Sequence, residues 1–159
     1  MNVEPILITA NEEAVLVTDE DVERGHLEEG WILTVSDEAN VPVRTPSRTL
    51  RSFGIMQEMC RAANGQWAVR SAWMSFFYLA IKVRLATDEV TLLYMRVANL
   101  RPGMVFMHEN PRFCVCLPGG RVRKLGCVTG QGVSTTSTWF PYEVVMVCCT
   151  SSDMSFILK

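Results

Sequence analysis

The sequence predicts an α+β domain in which an antiparallel sheet carries one or two helices, over about residues 46–75, on one face. Three observations lead to this prediction. Within 46–75, apolar residues recur at near-helical spacing behind a capping signal. From residue 77 onward, apolar and polar residues alternate in short runs. Turn residues separate these runs about every eight to twelve positions, as is typical of antiparallel strands.

The composition and the charge distribution indicate one globular domain with a distinct N-terminal segment. The chain has 159 residues, of which 48% are hydrophobic and 20% charged, so it can bury a core of its own. Residues 1–43 contain eleven Asp and Glu and one Arg, whereas residues 44–159 contain fourteen Lys and Arg and six Asp and Glu. We interpret residues 1–30 as an acidic N-terminal arm and residues 31–159 as a single globular α+β domain.

Secretion and membrane insertion are not predicted. The first apolar run, PILITA at 5–10, is short and lies among acidic residues, unlike a signal peptide. The uncharged apolar run between Arg70 and Lys82 has eleven residues, against about 20 for a membrane-spanning helix, and the longer uncharged run between Lys124 and Glu143 is rich in Gly, Ser and Thr. Six cysteines in an unsecreted chain favour free buried thiols over disulfides. We therefore expect a protein that is not secreted and is at most peripheral to a membrane.

The first elements of the chain are short strands and an acidic loop. ILI at 6–8 and AVLV at 14–17 predict strands, and the alternating WILTV at 31–35 predicts another. Between them, DEDVERGHLEEG at 19–30 has too few apolar residues to nucleate a core. We predict a loop or a frayed turn there.

The predicted helix begins after Thr45-Pro46-Ser47, because proline is well tolerated at the first helical position. Asn64-Gly65 supplies a left-handed stop. Gly54 is expected to weaken the middle of the helix by about 1 kcal/mol relative to alanine. A second helical segment is expected over 66–75. The apolar residues at near-helical spacing are Leu50, Phe53, Met56, Cys60 and Ala63.

The rest of the chain is predicted as strands. Phe77 to Leu85 alternates apolar and polar residues cleanly, which indicates a half-buried strand. Further strands are expected at 90–97, 104–108, 112–117, 121–128 and 142–149, with a last apolar piece at 156–158. The helices would then pack on one face of this sheet.

The stretch CVCLPGGRVRKLGCVTGQG at 114–132 contains three cysteines, five glycines and a basic cluster, but it matches no cofactor motif. Cys114-x-Cys116 lacks zinc spacing, so we expect a buried strand face and no metal site. The glycines are not followed by a lysine that opens a helix, so we expect no nucleotide and no other cofactor. The stretch is predicted as a hairpin that carries positive charge.

Two sets of charged and aromatic residues are the candidate functional residues. The basic set would contact an anionic partner, either RNA or lipid headgroups. The acidic arm and an aromatic pair would mediate self-association. The anionic-partner residues are Arg44, Arg48, Arg51, Arg121, Arg123 and Lys124. The self-association residues are Glu12, Glu13, Asp19, Glu20, Asp21, Trp139 and Phe140.

The order of the predicted elements resembles that of rhabdovirus matrix proteins, especially the compact ones of plant rhabdoviruses. The resemblance rests on the acidic arm, the strand WILTV, the basic and capped segment VRTPSRTLRSFGIMQEMCRAANG, the apolar QWAVRSAWMSFFYLAI and the strands after it. It implies a structural protein without enzymatic activity that polymerises between nucleocapsid and envelope. The implied partners are other copies of the chain, the viral nucleocapsid or RNA, and an anionic membrane surface, with no small-molecule substrate. The implied locations are the host cytoplasm, the virion and the membrane periphery.

Two other functions remain open from the residues. The chain could be an RNA-binding viral accessory protein, such as a suppressor of RNA silencing, whose arginines follow phosphates. It could also be an enzyme with a cysteine and histidine site, for instance Cys60 with His108, although no catalytic motif supports this.

Overall fold

A computed structural model describes residues 9–36, 41–70, 77–85, 89–126, 133–135 and 142–149. The side chains at 9–13, 45, 46, 120 and 133–135 lie outside this description. The strands are β1 (Thr9–Leu16), β2 (Trp31–Val35), β3 (Val43–Ser52), β4 (Ile55–Ala62), β5 (Trp67–Arg70), β6 (Phe77–Leu85), β7 (Thr91–Arg96), β8 (Val105–Met107), β9 (Phe113–Leu117), β10 (Arg121–Lys124), β11 (Val133–Thr135) and β12 (Val144–Cys149). The α-helix is α1 (Asp19–Arg24), and single 3-10 turns lie at Val97–Asn99 and Pro118–Gly120.

The first sheet is organised around β6 and curls into a partly closed barrel. Its strand order is β1-β6-β5-β4-β3, and β2 also pairs with β6. Because residues 81–83 of β6 pair with both β1 and β2, these two strands lie on opposite edges of β6. The sheet ends β2 and β3 approach each other, and the Leu33 N–H donates to the Ser52 hydroxyl at 3.2 Å. The interior of this barrel holds one hydrophobic cluster, to which β2 to β6 all contribute.

Helix α1 closes one end of the barrel. Thr18 and Asp21 form a reciprocal capping box at its start, and Gly25 ends it with a left-handed φ of 83°. Val22 is 3% exposed and belongs to the barrel core. The expectation of a loop at 19–30 is therefore wrong for Asp19–Arg24. Local caps and one buried valine are enough to specify this short helix.

The second sheet has the strand order β11-β10-β9-β8-β12-β7, with antiparallel pairing throughout. One of its faces packs against the first sheet through a mixed cluster that includes Ile32 and Val83 of the first sheet and Phe113 and Val115 of the second. The opposite face forms a third cluster, which contains Phe106 and three of the cysteines. The protein is therefore mostly β, with a barrel-like sheet packed on a second antiparallel sheet.

Polar contacts at the loop between β8 and β9 tie the two sheets together. The Phe113 N–H donates to the buried Thr34 hydroxyl at 3.0 Å. Gln57 Nε2 donates to Asn110 Oδ1 at 2.6 Å, and the Arg112 guanidinium lies over the Tyr78 ring. Backbone and side-chain donors of one sheet thus have their acceptors in the other, which defines how the sheets pack.

The predicted helix over 46–75 is absent, and with it the α+β class. The described part of this segment forms β3, β4 and β5, and residues 71–76 lie outside the described residues. Phe53 and Gly54 both have positive φ, 50° and 78°, and form a two-residue turn between the paired Ser52 and Ile55. Gly54 is therefore a hairpin residue rather than a weak point in a helix.

Burial in this hairpin follows a period of two. Leu50 and Ser52 are buried and Thr49 and Arg51 are exposed, which no helical stripe would produce. Pro46 is tolerated in β3 because the register with β4 shifts between Arg44 and Arg48, and proline in sheets is found at such irregularities.

The strand predictions outside this segment are confirmed with shifted ends, although β1 begins at Thr9 rather than at residue 14 and β11 was not predicted. WILTV forms β2, residues 77–85 form β6, and the later alternating runs form β7, β8, β9, β10 and β12. The hairpin predicted around Pro118-Gly119-Gly120 is the connection between β9 and β10. The predictions at 6–8 and 156–158 lie outside the described residues.

Candidate functional site

Two arginines and a tryptophan form a row across three neighbouring strands. In the register of the sheet, Arg44 of β3 lies opposite Arg61 of β4, and Arg61 lies opposite Trp67 of β5. Directly opposed residues of antiparallel strands point to the same face. In the adjacent row, Arg48 lies opposite Met59, which belongs to the barrel core. Arg44, Arg48 and Arg61 therefore lie close together at the open end of the barrel interior.

A groove of about 320 Å³ runs between this row and α1. Arg44, Arg48, Arg61 and Trp67 line it on the sheet side. The helix side is lined by Asp19, Val22 and Glu23. We call this the arginine groove.

Asp19 is bound to the arginine groove by two donors that share one oxygen atom. Its Oδ1 accepts from Arg61 Nη2 at 2.9 Å and from Trp67 Nε1 at 2.8 Å. The hydrogen bond from Trp67 and then that from Arg61 hold the pKa of Asp19 below its ordinary value. The site therefore favours a negatively charged oxygen.

The two donors are held in place by the sheet. Arg61 Nη1 donates to the Gly65 carbonyl at 2.8 Å, and its guanidinium lies 4.4 Å from the centre of the Trp67 ring. Trp67 is 8% exposed and belongs to the barrel core. Since Arg61 covers one face of the indole ring, Trp67 offers its N–H rather than a free stacking surface.

Arg44 and Arg48 are exposed and form no ion pair or hydrogen bond with any residue that the structure describes. Their strand neighbour Arg51 lies on the other face of β3, where its Nε is 3.4 Å from the Met56 sulfur. Arg51 therefore does not belong to the arginine groove, although it lies on the same strand as Arg44 and Arg48.

The remaining predicted basic residues lie on the second sheet. Arg121, Arg123 and Lys124 are in β10, where Val122 is buried between the two arginines. Arg121 donates to the Pro118 carbonyl at 3.4 Å. The six predicted basic residues thus do not form one site, because they occupy both faces of β3 and a strand of the other sheet.

Asp21, which was predicted to mediate self-association, is buried inside the molecule. It is 3% exposed and accepts from Lys82 Nζ at 2.7 Å, from Arg24 Nη2 at 2.8 Å and from the Thr18 N–H at 3.0 Å. Burial by itself raises its pKa, but the hydrogen bonds from Lys82 and Thr18 outweigh this and lower it below the ordinary value. Asp21 therefore fastens α1 to β6.

The structure describes only some of the other residues that were predicted to mediate self-association. Glu20 is exposed on α1. Glu12 and Glu13 lie in β1, with side chains outside the description, and Trp139 and Phe140 lie outside the described residues.

Three of the described cysteines are not activated as nucleophiles. Burial raises the pKa of Cys60, Cys116 and Cys148, which is the opposite of the lowered pKa of a reactive cysteine. His108 Nε2 lies 3.5 Å from Glu143 Oε1. Within the described part of the chain, no group of three or more His, Cys, Asp or Glu could hold a metal ion.

Two further features could not be read from the local sequence pattern. A cavity of about 460 Å³ is lined by the acidic Glu28, Glu29 and Glu89 together with Trp31 and Phe53. Separately, an apolar patch is exposed where β7 and β12 pair. We call it the tyrosine patch, and its members are Tyr94, 74% exposed, Tyr142, 67% exposed, and Val144, 54% exposed.

The sequence analysis found Arg44, Arg48 and Asp19 but missed Arg61 and Trp67, the residues that organise the groove. No local periodicity marks these two residues, because burial in β5 does not alternate and their opposition depends on the register of β4 with β5. No helix among the described residues is long and apolar enough to cross a membrane. Comparison of the chain with protein-family models, with curated proteins and with solved structures finds no match.

Proposed function

We propose that this protein is a non-enzymatic binding protein that contacts the phosphates of single-stranded RNA through the arginine groove. The observation that carries the proposal is the pair Arg44 and Arg48, both exposed and without an acidic partner among the described residues. The third arginine, Arg61, is already bound to a carboxylate oxygen. Arginines that follow one another along a groove are the usual means of binding a nucleic-acid backbone.

The geometry favours contacts with phosphates over contacts with bases. Guanidinium groups bind phosphate oxygens through several N–H donors in one plane. Among the described residues that line the groove, Trp67 has the only aromatic ring, which Arg61 covers on one face and which is 8% exposed. Binding through this groove is therefore expected to depend strongly on salt and weakly on base sequence.

The test measures the affinity of a labelled single-stranded RNA between 50 and 200 mM salt, roughly the range in which phosphate contacts are lost. The double variant Arg44→Gln and Arg48→Gln is expected to bind more weakly, with a salt slope reduced by about 0.7 for each lost contact. Arg51→Gln is the control, to be compared with each single variant Arg44→Gln and Arg48→Gln, because it removes one positive charge from the opposite face of β3.

An RNA affinity that is equal in the double variant and the wild type would contradict the proposal. So would an equally large effect of Arg51→Gln, since net charge rather than the groove would then be responsible. If anionic vesicles bind with the same dependence on Arg44 and Arg48 while RNA does not bind, the phosphates recognised are those of lipid headgroups.

Self-assembly of the matrix type is a second candidate, and the tyrosine patch favours it. Tyr94 and Val144 lie on the paired strands β7 and β12, and β7 is an end strand of its sheet. Exposed aromatic residues beside a strand edge are suited to contact between copies. Of the acidic residues expected to dock on a neighbouring copy, Asp19 and Asp21 have partners within the molecule.

Light scattering at low and high salt tests this second function. An assembly held by the tyrosine patch is expected to persist at high salt and to dissociate on Tyr94→Lys, because apolar contacts are not screened by ions. A protein that remains monomeric up to high concentration at both salt levels would exclude matrix-type assembly.

A further inference from the structure

The arginine groove already contains a bound anion, the carboxylate of Asp19. One oxygen atom of this carboxylate accepts two hydrogen bonds, one from Arg61 Nη2 and one from Trp67 Nε1. The same arrangement, one guanidinium and one further N–H on a single oxygen, is suited to a phosphate oxygen. Asp19 therefore occupies the position at which the strongest phosphate contact in this groove would be made.

The donors and the carboxylate differ in how firmly they are held. Arg61 and Trp67 are directly opposed on paired strands and stack on each other, and Arg61 also donates to the Gly65 carbonyl. The Asp19 side chain is 67% exposed and lies at the first residue of a six-residue helix. The donor pair thus belongs to the rigid sheet, whereas the acceptor is free to turn toward solvent.

Helix α1 does not need to leave the barrel for Asp19 to be displaced. Its attachment depends on the buried Asp21, which binds Lys82 of β6, and on Val22 in the barrel core. A rotation of the Asp19 side chain alone would release Arg61 and Trp67. The buried Trp67 N–H then requires another acceptor, because an unsatisfied donor is costly.

We propose that Arg61 and the Trp67 Nε1–H form a phosphate-oxygen site next to Arg44 and Arg48, and that Asp19 is a built-in competitor which occupies this site in the free protein. The inference rests on the proposed function. Asp19 opposes phosphate binding in two ways. It blocks the two donors, and its negative charge repels an approaching phosphate at short distance.

The experiment compares Asp19→Ala with Glu20→Ala in the single-stranded RNA binding assay. Both variants remove one acidic side chain from α1, but Glu20 has no contact with the donor pair. Glu20→Ala is expected to change the affinity by less than about threefold, as for an exposed charge. Asp19→Ala is expected to bind RNA about tenfold more tightly than wild type, because the site is vacated as well.

A second measurement reports on the site itself. In an NMR titration with inorganic phosphate, the indole N–H resonance of Trp67 is expected to shift at lower phosphate concentration in Asp19→Ala than in wild type. Adding Arg61→Gln to Asp19→Ala is expected to abolish the gain in RNA affinity. If thermal melting shows that the alanine variant is not folded, Asp19→Asn is used instead, and a smaller gain is expected because it removes the charge while its amide oxygen can still accept from the donor pair.

The outcomes separate this inference from the proposed function. If Asp19→Ala and Glu20→Ala bind RNA equally, while affinity still depends on Arg44 and Arg48, the competitor role is wrong and RNA binding through the groove stands. If the affinity of every variant is independent of Arg44 and Arg48, the proposed function is wrong and the inference falls with it.

Discussion

Replacing Asp21 by asparagine is expected to destabilise the protein by about 3 kcal/mol. The carboxylate accepts two charge-assisted hydrogen bonds, from Lys82 at 2.7 Å and from Arg24 at 2.8 Å. Removing one partner of a buried ion pair costs about 3–5 kcal/mol. The lower end of this range applies here for two reasons. The side chains of Lys82 and Arg24 are still 13% and 24% exposed to solvent. The asparagine oxygen also still accepts one hydrogen bond.

Thermal unfolding followed by circular dichroism measures this loss. A decrease of about 3 kcal/mol lowers the midpoint by about 9 °C, since 1 kcal/mol corresponds to about 2–4 °C in a chain of this length. Glu20→Gln in the same helix is the control, with an expected change within about 0.5 kcal/mol. A midpoint for Asp21→Asn within about 3 °C of wild type would refute the view that this carboxylate fastens α1 to β6.

The same carboxylate makes stability depend on pH in a defined direction. The pKa of Asp21 is lower in the folded state than its ordinary value of about 3.9, so the unfolded chain binds this proton more readily. Its contribution is therefore fully present above about pH 5 and is lost as pH falls through the folded pKa. Asp21→Asn is expected to lose less stability than wild type between pH 5 and pH 3, which chemical denaturation at each pH would measure.

Three further predictions concern buried groups and turns. Thr34→Val removes the hydroxyl that accepts from the Phe113 N–H and is expected to cost about 1–3 kcal/mol in denaturant unfolding, whereas Thr34→Ser should cost less. Gly126→Ala is expected to be more destabilising than Gly54→Ala in thermal melts. Both glycines have positive φ, but only at Gly126 would the new methyl group meet other atoms, at 3.2 and 3.3 Å. Equal effects of the two substitutions would contradict this prediction. Burial and then the neighbouring Cys149 raise the pKa of Cys148, so mass spectrometry should find it unalkylated in the folded protein at pH 8 and alkylated after denaturation.

Strands from β6 onward could be predicted because the order of apolar and polar residues along the sequence indicates which side chains are buried. Side chains on successive positions of a strand point to opposite faces, so the alternation in 77–85 reports which face is covered. The apolar run at 144–149 reads as a strand as well, since it is short and bounded by turn residues.

The hairpin of β3 and β4 was mistaken for a helix because two periodicities overlap in it. Leu50, Phe53, Met56 and Cys60 fit a helical stripe in the sequence, yet Met56 is 53% exposed and Phe53 lies in the turn. Pairing of β4 with both β3 and β5 stabilises the extended form, and such pairing overrides local helix propensity. The segment that carried the resemblance to matrix proteins as a capped helix is therefore a pair of strands.

The charge division along the sequence separates acidic from basic residues, and it led to Asp19 and Asp21 but not to their partners Arg61 and Lys82. It could not say which ones meet, because that depends on strand register and on how α1 sits on the barrel. Asp19 reaches Arg61 across 42 positions of sequence and Trp67 across 48. The sequence by itself determined most of the antiparallel strands from residue 77 onward, since short apolar runs alternate with turn residues there. Only the tertiary structure decided that Arg44, Arg61 and Trp67 form one row with Asp19 bound to it, since the row depends on the register of two successive hairpins and Asp19 reaches it from a distant helix.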